Sequence, residues 1–228
     1  MPLLRRCAKA LITQSMVPIN GAARNVTKQI FHASKYKGHC NKTQYKSPNV
    51  KQLPVHVRER MHETEDRNGF IPNFLQVYAR RPREFKAFYE YYDALIHKEE
   101  GNLTRADREM VALVTSSKLK CLYCVVAHSG QHRKYSNKPE LTEQLIANWE
   151  HADLTSREKA ILSLASTVCH SQEVTDEYFK NLEDHGLNKE DAWDIAALVA
   201  FTTMTAQMLS FIHVQPNREF YKMGRNGR

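Results

Sequence analysis

Two cysteines and a histidine lie within eight residues of one apolar segment, close enough in sequence to carry chemistry together. They are Cys121, Cys124 and His128. A helix turns by about 100° per residue, so positions i, i+3 and i+7 share one face and the three side chains are predicted to point the same way. Two thiols beside an imidazole predict either a redox site or part of a metal site.

The surroundings of these residues favour redox chemistry. A cysteine reacts as its thiolate, and Cys121 follows Lys118 and Lys120 and is predicted to lie in the first helical turn, where the helix dipole favours an anion. His128 is four residues after Cys124, within reach of its thiol proton directly or through a water. A neighbouring thiol converts a sulfenic acid to a disulfide before further oxidation. These are the parts of a thiol peroxidase.

An upstream carboxylate, Glu109, joins this site only if the chain reverses. One continuous helix from Glu109 to Cys124 would separate them by roughly 22 Å at about 1.5 Å per residue, too far for a shared site. A reversal between residues 116 and 120 would bring Glu109 back over the cysteine-bearing helix. The alternative is a solvated acid at the helix surface.

The combined pattern resembles the carboxymuconolactone decarboxylase superfamily, in its alkylhydroperoxidase D-like, peroxidase-related branch. The pattern is Glu109, eleven residues, Cys121, two residues, Cys124, three residues and His128. Further similar segments span about residues 66 to 215, and include Gly-Phe-Ile-Pro-Asn at 69–73 and Leu-Thr-Arg-Ala-Asp-Arg-Glu at 103–109. The resemblance implies an all-helical fold, a homo-oligomer of three or more chains, and cysteine-based hydroperoxide reduction.

The same resemblance implies a role for each residue of the site. Cys124 would be the thiol that attacks peroxide and Cys121 the resolving thiol, with Glu109 and His128 as a proton relay. The disulfide would be recycled by an external dithiol donor, with no bound cofactor. Tyr123 stands where many peroxidase members carry a histidine, which removes one potential base, although some relatives in this branch also carry tyrosine there.

Other interpretations of the motif remain open. The cysteines would be inert buried thiols if they serve only packing. They would belong to a zinc-binding structural module if Cys169 or His170 completed a ligand set with the motif. The chain would be a non-enzymatic subunit of a mitochondrial assembly if it retained the fold without the chemistry.

The pattern of the body predicts an all-α domain of about nine helices over residues 53–228, without a convincing strand. Pro82 is predicted to begin a helix, and Thr104, Thr155 and Asn188 are each predicted to cap one, with an acid three residues on. A stripe of large apolar residues on the last long helix is predicted to be buried: Trp193, Phe201, Met204, Met208 and Phe211.

Charge and composition restrict the remaining classes. The net charge is +8, but residues 1–58 hold eleven Lys or Arg and no acid, which leaves 22 basic against 25 acidic residues elsewhere. The folded body is therefore slightly acidic, which argues against nucleic-acid binding. No uninterrupted apolar run approaches the roughly 18 residues of a membrane span.

The N-terminal segment is predicted to be a targeting sequence. Apolar residues recur there in adjacent pairs opposite a basic, acid-free side. This pattern is typical of a mitochondrial transit peptide, which we place at residues 1–35, followed by a polar linker at 36–52. The predicted location is the mitochondrial matrix.

Overall fold

Helices make up all the regular structure in residues 43–225, the part of the chain that the computed structural model describes. No strand occurs in that range, which confirms the predicted all-α class. Short 3₁₀ turns lie at Val50–Gln52 and Trp149–His151. The ten α-helices of the described range are α1 (Val55–Asn68), α2 (Asn73–Tyr78), α3 (Pro82–Ile96), α4 (Arg105–Lys118), α5 (Leu122–Ser136), α6 (Pro139–Asn148), α7 (Ser156–Cys169), α8 (Asp176–Glu183), α9 (Lys189–Ile212) and α10 (Arg218–Lys222).

Local signals set the starts of the main helices. The side chains of Thr104, Thr155 and Asn188 each accept a hydrogen bond from the backbone N–H three residues on. The acid at that position accepts a hydrogen bond from the backbone N–H of the capping residue, so all three predicted capping boxes are confirmed. Pro82 begins α3 and Pro139 begins α6, where the missing N–H of proline costs no helical hydrogen bond.

Helices α4 and α5 form an antiparallel hairpin at the centre of the domain, and α7 and α9 pack on α4. The reversal occurs at Lys120, whose φ of 55° is left-handed. The N–H of Cys121 bonds to the carbonyl of Ser116 and that of Lys120 to the carbonyl of Ser117, which is a Schellman motif. The predicted reversal between residues 116 and 120 is therefore confirmed.

The main core surrounds α4, whose residues 107–116 are all buried. Leu113 on α4, Ile161 on α7, and Ile195 and Leu198 on α9 are fully enclosed. Full burial of each such side chain contributes about 1.5–3 kcal/mol. A second cluster holds both motif cysteines together with Tyr123, Leu209 and Phe220.

The predicted buried stripe on α9 is wrong for four of its five members. Phe201 is buried, whereas Trp193 is 74% exposed and Phe211 is 62% exposed, and Met204 and Met208 also face outward. Because α9 is apolar on nearly all sides, periodicity does not identify which face meets the core.

By length and composition, α9 is also the one helix of the described residues that is apolar enough to cross a membrane. It packs against α4, α7 and α5, and 44% of its most apolar window is buried within the domain. The core helix of a globular domain passes the same test, so this is weak evidence for a span.

Two further predictions differ from the structure or fall outside it. About nine helices were expected, and the described range has ten because the five-residue α10 carries too short a pattern to be detected. The predicted transit peptide at residues 1–35 and the first part of the linker at 36–52 lie outside the described residues.

Candidate active site

The two motif cysteines lie side by side at the start of α5. The sequence predicts Cys121 in the first turn of its helix, whereas in the structure it lies one position earlier, as the N-cap residue. Cys124 lies within the first turn. Their Sγ atoms are 3.0 Å apart, both residues are buried, and both thiols are free. The structure thus describes a reduced pair in contact, the arrangement from which a disulfide forms.

The two thiols differ in acidity. The pKa of Cys121 is lowered to about 6, first by the hydrogen bond from the Cys124 thiol, against the opposing effect of burial. The Cys124 backbone N–H and the Ser210 hydroxyl add to this stabilisation of the anion. The pKa of Cys124 is raised because it donates to Cys121 and is itself buried. The pair therefore holds a single negative charge near neutral pH, centred on Cys121.

This difference predicts a thiolate that titrates well below the ordinary range of cysteine. The ultraviolet absorbance of thiolate in the reduced protein is expected to rise through a midpoint near pH 6. Cys124→Ala should move that midpoint toward the ordinary value by removing the donor, whereas Cys169→Ala should leave it in place. A wild-type midpoint near 9 would contradict the assigned hydrogen bond.

Glu109 forms the second half of the site, on α4. It is fully buried, with Oε2 at 2.8 Å from Nδ1 of His128 and Oε1 at 2.9 Å from an Nη atom of Arg105. Burial opposes its ionisation, but the hydrogen bond from His128 and the charge of Arg105 prevail, so the pKa of Glu109 lies below its ordinary value. An ionised Glu109 only accepts hydrogen bonds, so His128 carries its proton on Nδ1 and has Nε2 available to accept another.

A cavity of about 100 Å³ adjoins this site. Within the described chain, Cys124 and His128 line it and Cys121 does not. In residues 43–225, no hydrogen bond joins His128 to either sulfur. The thiol proton was predicted to reach His128 directly or through a water, and this geometry favours the route through a water. Cys124 is therefore the sulfur that borders the cavity, while Cys121 contacts the exposed residue Ser210 on the other side.

Tyr123 contributes packing and a fixed hydroxyl to the cavity wall. Its ring packs edge-on against Phe74 at 5.6 Å between centroids, and its hydroxyl lies 3.4 Å from Oδ1 of Asn217. Burial raises the pKa of Tyr123, so its hydroxyl stays neutral. This residue is not a base in the described site.

The donor set for a metal ion is incomplete. No group of three His, Cys, Asp or Glu side chains in residues 43–225 stands close enough to hold one. Cys169 ends α7, and His170 bonds instead to the carbonyl of Ser166 in its own helix. The zinc interpretation thus finds no support in this range.

The structure adds two residues to the predicted site. Arg105 neutralises Glu109, and its position four residues earlier on the same helix is a recognisable ion-pair spacing that the sequence already displayed. Ser210 supports the Cys121 anion from α9. No sequence signal marks Ser210, because the contact depends on how α9 packs on α5.

Comparisons with known proteins support the family resemblance. The model of the carboxymuconolactone decarboxylase family matches residues 82–167. An uncharacterized peroxidase-related protein from Ralstonia eutropha JMP134, described as an alkylhydroperoxidase AhpD core, is 43% identical, with a TM-score of 0.78 over 82% of this chain and 98% of that one. A peroxidase-related protein from Silicibacter sp. TM1040 is 31% identical, with a TM-score of 0.73 over 82% of this chain and 100% of that one.

A more distant structure shows only the fold. The debrominase Bmp8 is 18% identical, with a TM-score of 0.67 over 80% of this chain and 96% of its own. A comparison with curated protein sequences finds no match.

The fold and the site together define an all-helical protein with a paired-thiol centre. The chain belongs to the carboxymuconolactone decarboxylase superfamily, in its alkylhydroperoxidase D-like, peroxidase-related branch.

Proposed function

We propose that this protein reduces hydroperoxides through the Cys121–Cys124 pair, as a thiol peroxidase with an antioxidant role. One observation carries the proposal. Two thiols lie 3.0 Å apart, and one of them lines a cavity beside an imidazole oriented by a buried carboxylate. Cysteines that serve only packing require neither the thiol contact nor the cavity.

The first step oxidises Cys124. The Cys121 thiolate takes the proton of the Cys124 thiol across the 3.0 Å contact, which leaves the thiolate on the cavity side. The Cys124 sulfur then attacks the terminal peroxide oxygen, the O–O bond breaks, and Cys124 becomes a sulfenic acid. The leaving alkoxide takes a proton from a cavity water that hydrogen-bonds to Nε2 of His128, which Glu109 holds in the required tautomer, and the hydroxide left behind passes to solvent.

The second step forms the disulfide and the third restores the thiols. Cys121 attacks the sulfenic sulfur, loses its proton, and displaces hydroxide, which leaves as water. An external dithiol then reduces the disulfide and is itself oxidised. The net reaction converts one hydroperoxide and one dithiol into an alcohol, water and a disulfide.

The decisive experiment counts thiols after a stoichiometric dose of organic hydroperoxide. Wild type should lose two thiols and gain an intramolecular Cys121–Cys124 disulfide. Cys121→Ser should trap a sulfenic acid on Cys124, Cys124→Ser should lose no thiol rapidly, and Cys169→Ser should match wild type. Oxidation no faster than that of a free thiol in solution would reject the peroxidase and favour the non-enzymatic alternative.

Three further proposals accompany this function. The dithiol donor is an external protein or small molecule, the chain forms a homo-oligomer, and the protein acts in the mitochondrial matrix. The basic, acid-free N-terminal segment supports the location. The superfamily resemblance supports the donor and the oligomer.

A further inference from the structure

The cavity beside Cys124 has a cationic wall that the proposed redox steps do not use. Arg60, Arg67, Arg105 and His97 all line it. Hydrogen peroxide and simple alkyl hydroperoxides are uncharged, so binding them requires no fixed positive charge at the cavity edge. The wall therefore indicates a second recognition element for the substrate.

Two of the three arginines are already neutralised. Arg60 bonds to Asp93 at 2.6 Å and lies 3.4 Å from the more exposed Glu63. Arg105 is paired with Glu109 at 2.9 Å. Their charges are balanced within the protein, so they shape the wall but offer little net attraction for an anion.

Arg67 is different, because its partner is uncharged. Its Nη1 lies 2.9 Å from Nδ1 of His97, and no carboxylate in residues 43–225 forms a salt bridge with it. Burial lowers the pKa of His97 to about 4, and the nearby Arg105 and Arg67 charges act in the same direction, while Asp93, whose Oδ1 lies 3.1 Å from Nδ1 of His97, opposes them. His97 is therefore neutral at pH 7, and Arg67 keeps its full positive charge at the exposed edge of the cavity.

Part of the lining shared by Cys124 and Arg67 is aromatic and apolar. Phe74, Phe88 and Phe201 line the same cavity as Cys124, and Phe88 packs against both of the other rings. Hydrogen peroxide would leave these rings unused. An organic molecule with an apolar body would cover them and gain the corresponding burial energy.

We infer that the preferred substrate is an organic hydroperoxide that carries a carboxylate. Its peroxide group meets Cys124, its hydrocarbon body lies against the phenylalanine rings, and its carboxylate binds the guanidinium of Arg67. The planar guanidinium matches a carboxylate in geometry as well as charge. This inference rests on the proposed peroxidase function, and the reaction leaves the carboxylate unchanged while the peroxide becomes an alcohol.

The test compares medium-chain ω-hydroperoxy acids with their methyl esters, which have the same peroxide and nearly the same hydrocarbon body but no charge. We expect kcat/KM to favour the acid by about tenfold, the size of one hydrogen bond to a charged group. Arg67→Gln should bring the ratio of acid to ester close to one, and Arg67→Lys should retain part of the preference. Arg83→Gln is the matched control, since Arg83 is exposed and does not line the cavity.

A binding measurement separates this inference from the peroxidase proposal. The corresponding ω-hydroxy acids and esters contain no peroxide, so calorimetric titration reports recognition alone. Tighter binding of the acid, lost in Arg67→Gln, supports the inference even if no peroxide is reduced. Equal binding and equal kcat/KM for acid and ester would overturn the inference while leaving the peroxidase function intact.

Discussion

Replacement of Glu109 by Gln is expected to lower the free energy of unfolding by about 3–5 kcal/mol, the cost of breaking a buried ion pair from one side. The glutamine is nearly isosteric but neutral, so Arg105 loses its counter-charge. One carboxylate oxygen also becomes an NH₂ group, which only donates, so the side chain can no longer accept from both Arg105 and His128. Urea denaturation monitored by circular dichroism measures the change, with Glu99→Gln, an exposed carboxylate on no helix, as control.

The same substitution should change the dependence of stability on pH. The pKa of Glu109 is depressed below its ordinary value of 4.5 in the folded protein. Its contribution to stability is therefore present above about pH 4.5 and is lost as pH falls through the lower folded pKa. The difference in unfolding free energy between wild type and Glu109→Gln should shrink in acid. A difference that stays constant down to pH 3 would contradict an ionised Glu109.

Glu109→Gln should also slow the oxidation of Cys124 by about 100-fold, within the range for loss of general acid–base catalysis. Without the carboxylate, the Nδ1 proton of His128 has no fixed acceptor, so the tautomer with Nε2 available is no longer held. Stopped-flow thiol oxidation measures the rate under conditions where the variant is fully folded. A rate equal to that of wild type would show that Glu109 serves only stability.

Loss of the Arg133 side chain is the second change with a large expected effect. Arg133 lies on α5, is buried, and donates to the carbonyls of Phe220 and Met223 at 2.9 Å each. These bonds hold α10 on α5. Arg133→Met is expected to lower the free energy of unfolding by about 3 kcal/mol, because two buried carbonyls lose a charged donor.

The effect should reach the cavity. Phe220 on α10 lines it and packs edge-on against Phe70 at 4.9 Å between centroids. Hydrogen exchange in residues 217–225 should accelerate in Arg133→Met, since α10 is then less firmly docked. Arg218→Met, on the exposed side of α10, should change unfolding by less than about 0.5 kcal/mol and leave exchange unaltered.

Much of the helical framework could be predicted because its signals are local. The capping boxes at Thr104, Thr155 and Asn188 satisfy backbone groups within one turn of themselves, so tertiary contacts are not needed to read them. The exposed face of α9 could not be read in the same way. Trp193 and Phe211 are apolar on a helix that is apolar almost all round, and only packing decides which side meets the core.

For the candidate site, residue types and spacing predicted that Cys121, Cys124 and His128 lie on one face of one helix, with the cysteines near its start. The sequence also required a reversal before Cys121 if Glu109 was to join them. The sequence did not identify Lys120 as the residue at which the chain reverses. A left-handed residue is usually recognised as a glycine, and this position is a lysine.

The tertiary structure alone decided how the two thiols differ. A contact of 3.0 Å lets one thiol donate to the other, and the packing of α9 brings Ser210 to Cys121 while the cavity opens beside Cys124. The last two are relations between segments distant in sequence, and together with the thiol contact they fix which cysteine is the more acidic and which borders the cavity. Spacing could place the cysteines together, but only the packed environment could make them unequal.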